Sequence, residues 1–407
     1  MTQEQPLTIH RLLTIETGYP LMSREVGWDS GDPQLDQILH VSMRTQMACA
    51  HDTYMDCPYY EQLQYVGDTR IQALITYCLT PDERLPRKAI QLLLASRHNS
   101  AGLPLAAWPS GHSSSVIPPF ALWLIGMVHD FARWRDNAPF VVSTLPALRT
   151  IIDFFLLHLD PCGLVRSPFG WNFIDANLGQ VPAGGMPGEI SGLLNWQLVI
   201  VLQEMSQLEA RFGEPELSTR FGRHARAIAT AATRMLFDSD RKALSDAPGS
   251  PRFSEHGQIL PLLSNLLAPT IRTHLEEALC QDATLARTGA YFTHYLFETF
   301  RVLGRVYQFN KRLEPWRWAL DHGFRSFPEY AQIDTRSDCH AWSAHPLYHF
   351  FATTLGIRPA DWGFRRVRIS PMLTKCRASA APRVARPSQG NNPGHPRAGE
   401  RQTSWLS

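Results

Sequence analysis

The sequence lacks the short motifs that mark several large enzyme classes. It has no G-x-x-x-x-G-K-[ST], no G-x-G-x-x-G behind a strand and no G-x-S-x-G. Phosphate-cradling loops, dinucleotide folds and the hydrolase nucleophile elbow are therefore not indicated. Seven cysteines are scattered with no C-x-x-C pair, so neither a zinc ribbon nor a thioredoxin-type motif is expected. Isolated cysteines in apolar surroundings read as buried thiols in a reducing compartment. Charge of one sign is missing too. The formal net charge is +2, which gives no reason to expect nucleic acid as partner. The opening "MTQEQPLTIHRLL" has no basic region followed by an apolar run; a cytoplasmic location is the expectation. No run looks long enough to cross a bilayer, "IIDFFLLHLD" being short and acidic.

What is present is helix. Hydrophobic residues make up 44% of the 407-residue chain and charged residues 19%, the balance of a soluble protein with a large core. Asp32-Pro33 opens a helix with Leu35, Ile38, Leu39 and Ser42 on one face. "DTRIQALITYCL" continues helically, and Thr80 and Glu83 have capping-box spacing before the next helix. "STLPALRTIIDFFLLHL" lines up Leu145, Leu148, Ile151, Ile152, Phe155 and Leu159. "NWQLVIVLQEMSQLEARFG" lines up Leu198, Leu202, Met205, Leu208 and Phe212, then stops at Gly213. Alternating strand patterns are nearly absent before residue 360. The pattern predicts an all-α array of antiparallel helix hairpins. Residues 1–31 read as a lead-in and 32–358 as the helical domain. Residues 359–372 read as a β-domain remnant, with "GFRRVRISP" a strand lacking a later partner. Residues 373–407 read as a disordered basic tail.

Long loops over 51–67, 97–117, 161–195 and 325–346 carry the unusual chemistry. In "MDCPYYEQLQYVGDTR", Asp56 can fix a turn, Asp68 can cap a helix and Glu61 can pair with Arg70; equally, all three can face a ligand. Tyr60 belongs to the same window. Trp108, in "GLPLAAWPSG", is either a sugar-stacking ring or a core tryptophan. Trp171 and Asp175 sit in the glycine-bounded "GWNFIDANLG", an acid in an aromatic setting or a turn beside a packed ring. Glu329, His340, Trp342 and His345 follow in "SFPEYAQIDTRSDCHAWSAHPLYHF". His340 and His345 are five apart, where a helical metal pair wants four. Hydrogen bonding to a polar ligand or to Glu329 is the preferred reading, with no metal and no cofactor. Acids, imidazoles and flat rings on long loops suit a carbohydrate. Glycosidic hydrolysis needs two carboxyl groups across the scissile bond.

The window "DTYMDCPYYEQLQYVGDTR" resembles the signature of bacterial α-L-rhamnosidases of glycoside hydrolase family 78. "IPPFALWLIGMVHDFARW", "GLVRSPFGWNFID" and "SDCHAWSAHPLYHF" resemble later segments of their six-hairpin (α/α)6 domain, in order, over roughly residues 33–370. The resemblance implies an all-α (α/α)6 toroid. It implies Glu61 as general acid, Glu329 as general base, inversion at the sugar, and Asp56, Asp68 and Asp175 as binders of rhamnose hydroxyls. A rhamnosylated oligosaccharide or glycoside is the implied partner. Tyr60 stands where many relatives carry arginine, and Ala176 where tryptophan is common. The flanking β-domains of most relatives are missing, and this chain could be a fragment. Two other readings stand beside this one: a glycosidase or lyase for another sugar on the same toroid, and a non-catalytic sugar-binding barrel.

Overall fold

The structure is a computed structural model, and it describes residues 10–21, 29–99, 102–111, 115–176 and 185–372. The proposed tail 373–407 and the first part of the lead-in lie outside the described residues.

Two kinds of helix alternate along the chain. One kind is buried on most of its sides, polar residues included: Val66–Leu79, Pro118–Trp134, Gly192–Phe212, Glu255–Ser264 and Thr293–Leu303. Each of these helices packs against the next, and Val66–Leu79 meets Pro346–His349, which continues as a single π-helical turn over Phe350–Thr354. The ring closes there. The second kind is apolar along one stripe only and lies outside the ring. Arg84–Ala95 buries Leu85, Ala89, Ile90 and Leu93, and Pro215–Leu236 buries Phe221, Ala225, Ile228 and Ala232. Pro33–Ala48, Ala138–Leu156, Pro269–Gln281 and Glu314–Asp321 complete the outer layer among the described residues. The fold is an all-α toroid.

Local signals hold at several ends. Asp32 accepts from the Gln34 backbone N–H at 2.9 Å and caps its helix. Gly213 follows the last turn of Gly192–Phe212. Other expectations need correction. Val66–Leu79 starts two residues before Asp68, with Tyr65 at its cap and no side-chain cap. Asp68 is thus an acid in the first turn. Thr80 and Glu83 form no capping box: Glu83 itself caps Arg84–Ala95, without a side-chain bond. The lone strand expected over "GFRRVRISP" shrinks to Val367–Ile369 and finds a partner before it, Ile357–Pro359, in an antiparallel pair.

Ala138–Leu156 is long and apolar enough to cross a membrane by length and composition alone, a feature the sequence reading missed. In the fold its Leu145, Leu148, Ile151, Ile152 and Phe155 face the core. Arg149 pairs with Glu209 on the inner ring, and Asp153 with Arg220.

Candidate active site

The long loops 51–67, 161–176 and 325–346 meet at one mouth of the ring, ahead of the N-terminal ends of inner helices. Helix N-termini carry partial positive charge and favour carboxylates. A cavity of about 410 Å³ opens there. Five acids line it: Asp56, Glu61, Asp68, Asp175 and Glu329. With them stand Tyr65, Phe120, Trp171, Phe173, Tyr330, Arg336, His340 and Trp342.

Backbone bonds fix the opening window. Asp56 N–H donates to the Leu63 carbonyl at 2.8 Å, closing a loop around Cys57-Pro58. Asp56 Oδ1 accepts from the Leu63 N–H at 2.8 Å, and Oδ2 from the Cys57 thiol at 2.8 Å. Asp56 therefore does fix the turn, and it still lines the cavity. Its carbonyl accepts from Ala341 N–H at 2.7 Å, which ties this window to the "HAWSAH" segment from the far end of the chain.

Glu61 and Glu329 come to the same guanidinium. Arg336 donates to Glu329 from Nε at 2.9 Å and from Nη2 at 2.7 Å, a two-pronged grip. Its Nη1 donates to Glu61 Oε1 at 3.2 Å. Glu329 is 1% exposed. The expected pairing of Glu61 with Arg70 is wrong. Arg70 is buried inside the ring, held by Asp130 at 2.8 Å and Glu204 at 3.0 Å. Arg336 was not singled out by sequence reasoning. It shares a loop with Glu329, but loop spacing carries no signal for a side-chain pair.

The electrostatics separate the acids. Burial and the nearby Asp56 raise the Glu61 pKa, against the lowering pull of Arg336. Burial and Asp68 raise that of Asp56. Burial raises Asp68 as well, opposed by His340. His340 Nε2 lies 3.3 Å from Asp68 Oδ1. Burial disfavours the imidazolium, yet Asp68, Glu329 and Asp56 together hold the His340 pKa above its ordinary value. The partner of His340 is thus Asp68, not Glu329.

Asp175 is fully buried. Its Oδ2 accepts from the Gly289 N–H and from His256 Nε2, both at 2.7 Å. Its Oδ1 has no protein partner among the described residues, nor has Nδ1 of His340. Unpaired buried polar atoms are costly, and a polyhydroxylated ligand in the cavity can satisfy them. Trp342 stands against the cavity with its ring 4.1 Å from that of His340, and the Trp171 ring lies tilted 5.0 Å from that of Phe173.

Three residues singled out in the sequence do not line the cavity. Trp108 packs against the core and uses its backbone to pair with Gln64. Tyr60 lies outside the lining, with its ring under the Arg336 guanidinium at 5.3 Å. His345 is fully buried away from it and bonds to the Ala290 carbonyl at 2.9 Å. Their positions follow from packing across the ring, which a one-dimensional motif does not contain.

Comparison with known proteins agrees with this geometry. The sequence model described as bacterial alpha-L-rhamnosidase 6 hairpin glycosidase domain matches residues 25–354. A family 78 rhamnosidase of Bacillus sp. GL1 superposes with a TM-score of 0.80 at 26% identity, covering 87% of this chain and 38% of that one. A rhamnosidase from Klebsiella oxytoca with rhamnose bound gives 0.69 at 21%, covering 80% and 64%. An α-L-rhamnosidase of Streptomyces avermitilis complexed with L-rhamnose gives 0.64 at 15%, covering 84% and 34%. The chain thus spans well under half the length of the Bacillus protein. No curated protein matched the sequence. A closed helical ring, an acid-lined mouth and a family match over most of the chain lead to one statement: this chain belongs to the bacterial α-L-rhamnosidase six-hairpin glycosidase family.

Proposed function

We propose that this chain hydrolyses terminal α-L-rhamnosyl bonds, with Glu61 as general acid and Glu329 as general base. The observation that carries the reading is that Glu61 and Glu329 line one cavity and both contact Arg336. Glu61 has the environment of an acid. Half-burial and Asp56 favour its protonated form, ready to give a proton to the leaving oxygen. Glu329 is assigned as the base. A carboxylate offers about four lone-pair sites, and Arg336 takes two of them. The others can accept a proton from a water. Asp56, Asp68, Asp175 and His340 would bind sugar hydroxyls, and Trp171 and Trp342 would pack on apolar sugar faces.

Inversion is part of the proposal. The water must then attack from the face opposite the leaving group, between carboxyl groups roughly 6.5–9.5 Å apart. The test is hydrolysis of an aryl α-L-rhamnoside, with the anomer of the released sugar read by proton NMR within the first turnovers. Initial β-rhamnose supports inversion. Initial α-rhamnose overturns it, and no release from this sugar amid release from another aryl glycoside overturns the substrate assignment.

Arg336 also favours a second reading. A lyase needs a cation beside a uronate carboxylate, and Arg336 is the cation of the site. An unsaturated ultraviolet-absorbing product from a polyuronate would select that reading.

A further inference from the structure

A second cluster lies apart from the acid-lined cavity. His294, on Thr293–Leu303, meets His345 and His349, one helical turn apart at Pro346–His349. The three are 3%, 0% and 0% exposed. One nitrogen of each lies within 4.8 Å of the others. The five-residue gap between His340 and His345 argued against a metal pair, but the four-residue gap from His345 to His349 is the favoured one.

The outer hydrogen bonds sort the ring nitrogens. His345 Nε2 bonds to the Ala290 carbonyl at 2.9 Å, leaving Nδ1 buried without a protein partner among the described residues. His349 Nδ1 hydrogen-bonds with Thr353 Oγ1 at 3.0 Å, and its Nε2 hydrogen-bonds with His294 Nδ1 at 3.0 Å. Metal-binding histidines anchor the far nitrogen in this way; the near nitrogen of His345 is unpartnered, and at His294 and His349 an ion would replace the proton the two rings share. The π-helical turn Phe350–Thr354 that supplies Thr353 is a rare local geometry, found mostly at functional sites.

We propose that His294, His345 and His349 form a structural site for a zinc-like transition-metal ion. Imidazole is a preferred donor for such ions, and in a closed four-coordinate structural site a water would complete the three histidines. Bonds of about 2.0–2.1 Å place no two ligand nitrogens more than about 4.2 Å apart, so occupancy needs only small shifts of the three rings. The ion would pin Thr293–Leu303 to the segment that carries His340 and Trp342 into the sugar cavity. Because the ligands are enclosed, loading accompanies folding and chelators act slowly.

The test uses the full chain, produced with zinc supplied and dialysed without chelator. Metal content is read by mass spectrometry, and cobalt-loaded protein by visible absorption. One tightly held ion per chain supports the site, provided it is lost in both His345→Ala and His294→Gln and kept in Cys57→Ser. Cys57 belongs to a competing cluster beside the sugar cavity, Asp56–Cys57–His340. Where a histidine variant fails to fold by circular dichroism, the wild-type cobalt spectrum decides. A tetrahedral band without thiolate charge transfer supports the histidine site, and a thiolate band overturns it. Absence of metal at micromolar zinc, or retention in the histidine variants, also overturns it.

Discussion

Arg336 grips both carboxylate oxygens of Glu329, from Nε at 2.9 Å and Nη2 at 2.7 Å. The remaining Nη1 reaches Glu61. One side chain thus couples the two carboxyl groups assigned to proton transfer.

Removing either carboxyl group tests the assignment. General acid–base groups contribute about 10²–10⁴-fold. Glu61→Gln and Glu329→Gln should each lower kcat on an aryl α-L-rhamnoside by about that factor. Circular dichroism should stay unchanged, since neither change adds volume. A variant that keeps the wild-type rate removes its residue from the mechanism.

The pH profile should follow the neighbours of Glu61. The active form has Glu61 protonated, so activity falls as pH rises through its pKa. Asp56 raises that pKa and Arg336 lowers it. Asp56→Asn should therefore move the alkaline limb of kcat/KM to lower pH, and Arg336→Met should move it to higher pH. Limbs moving in the opposite directions would show that another group controls them.

His340 should make stability depend on pH near neutrality. Its pKa is raised in the folded state, so the gain is complete below the ordinary histidine value and disappears as pH rises through the folded one. Melting temperatures of wild type should fall across that window, and those of His340→Gln should fall less. Equal slopes would show that the contact with Asp68 adds nothing.

The two tryptophans should behave differently. Trp171 lines the cavity and is 57% exposed. Trp171→Ala should raise KM about tenfold, the equivalent of about 1.4 kcal/mol, with little change in melting temperature. Trp108→Phe should leave KM alone, because that ring packs on the core. Equal effects on KM would put Trp108 back in the site.

Inside the ring, Gly126 leaves room for Arg70. A Cβ there would come within 2.4 Å of the Arg70 guanidinium, which is committed to Asp130 and Glu204. Gly126→Ala should destabilise by about 1–3 kcal/mol, the usual cost of overpacking, measured by urea unfolding. A neutral result would mean that Arg70 can move aside.

Some of this was written in the chain order. Helical periodicity gave the stripes of Ala138–Leu156 and Gly192–Phe212, because burial of one face imposes a 3.6-residue period whatever the partner is. The acid-rich window at Asp56 and Glu61, and Asp175 among its aromatic neighbours, stood out because loops seldom combine such residues without need. Capping was less legible. Thr80 and Glu83 have the right spacing, yet the helix starts later, where packing against the inner ring sets its end. Closure of the ring, the choice of Arg336 over Arg70 as the partner of Glu61, and the removal of His345 to a second histidine cluster all depend on contacts between distant segments. The sequence by itself determined the helices and the residue types available to a sugar site, since both follow from local pattern. Only the tertiary structure decided which charges meet, because a carboxylate pairs with whichever cation the closed ring brings within about 3 Å.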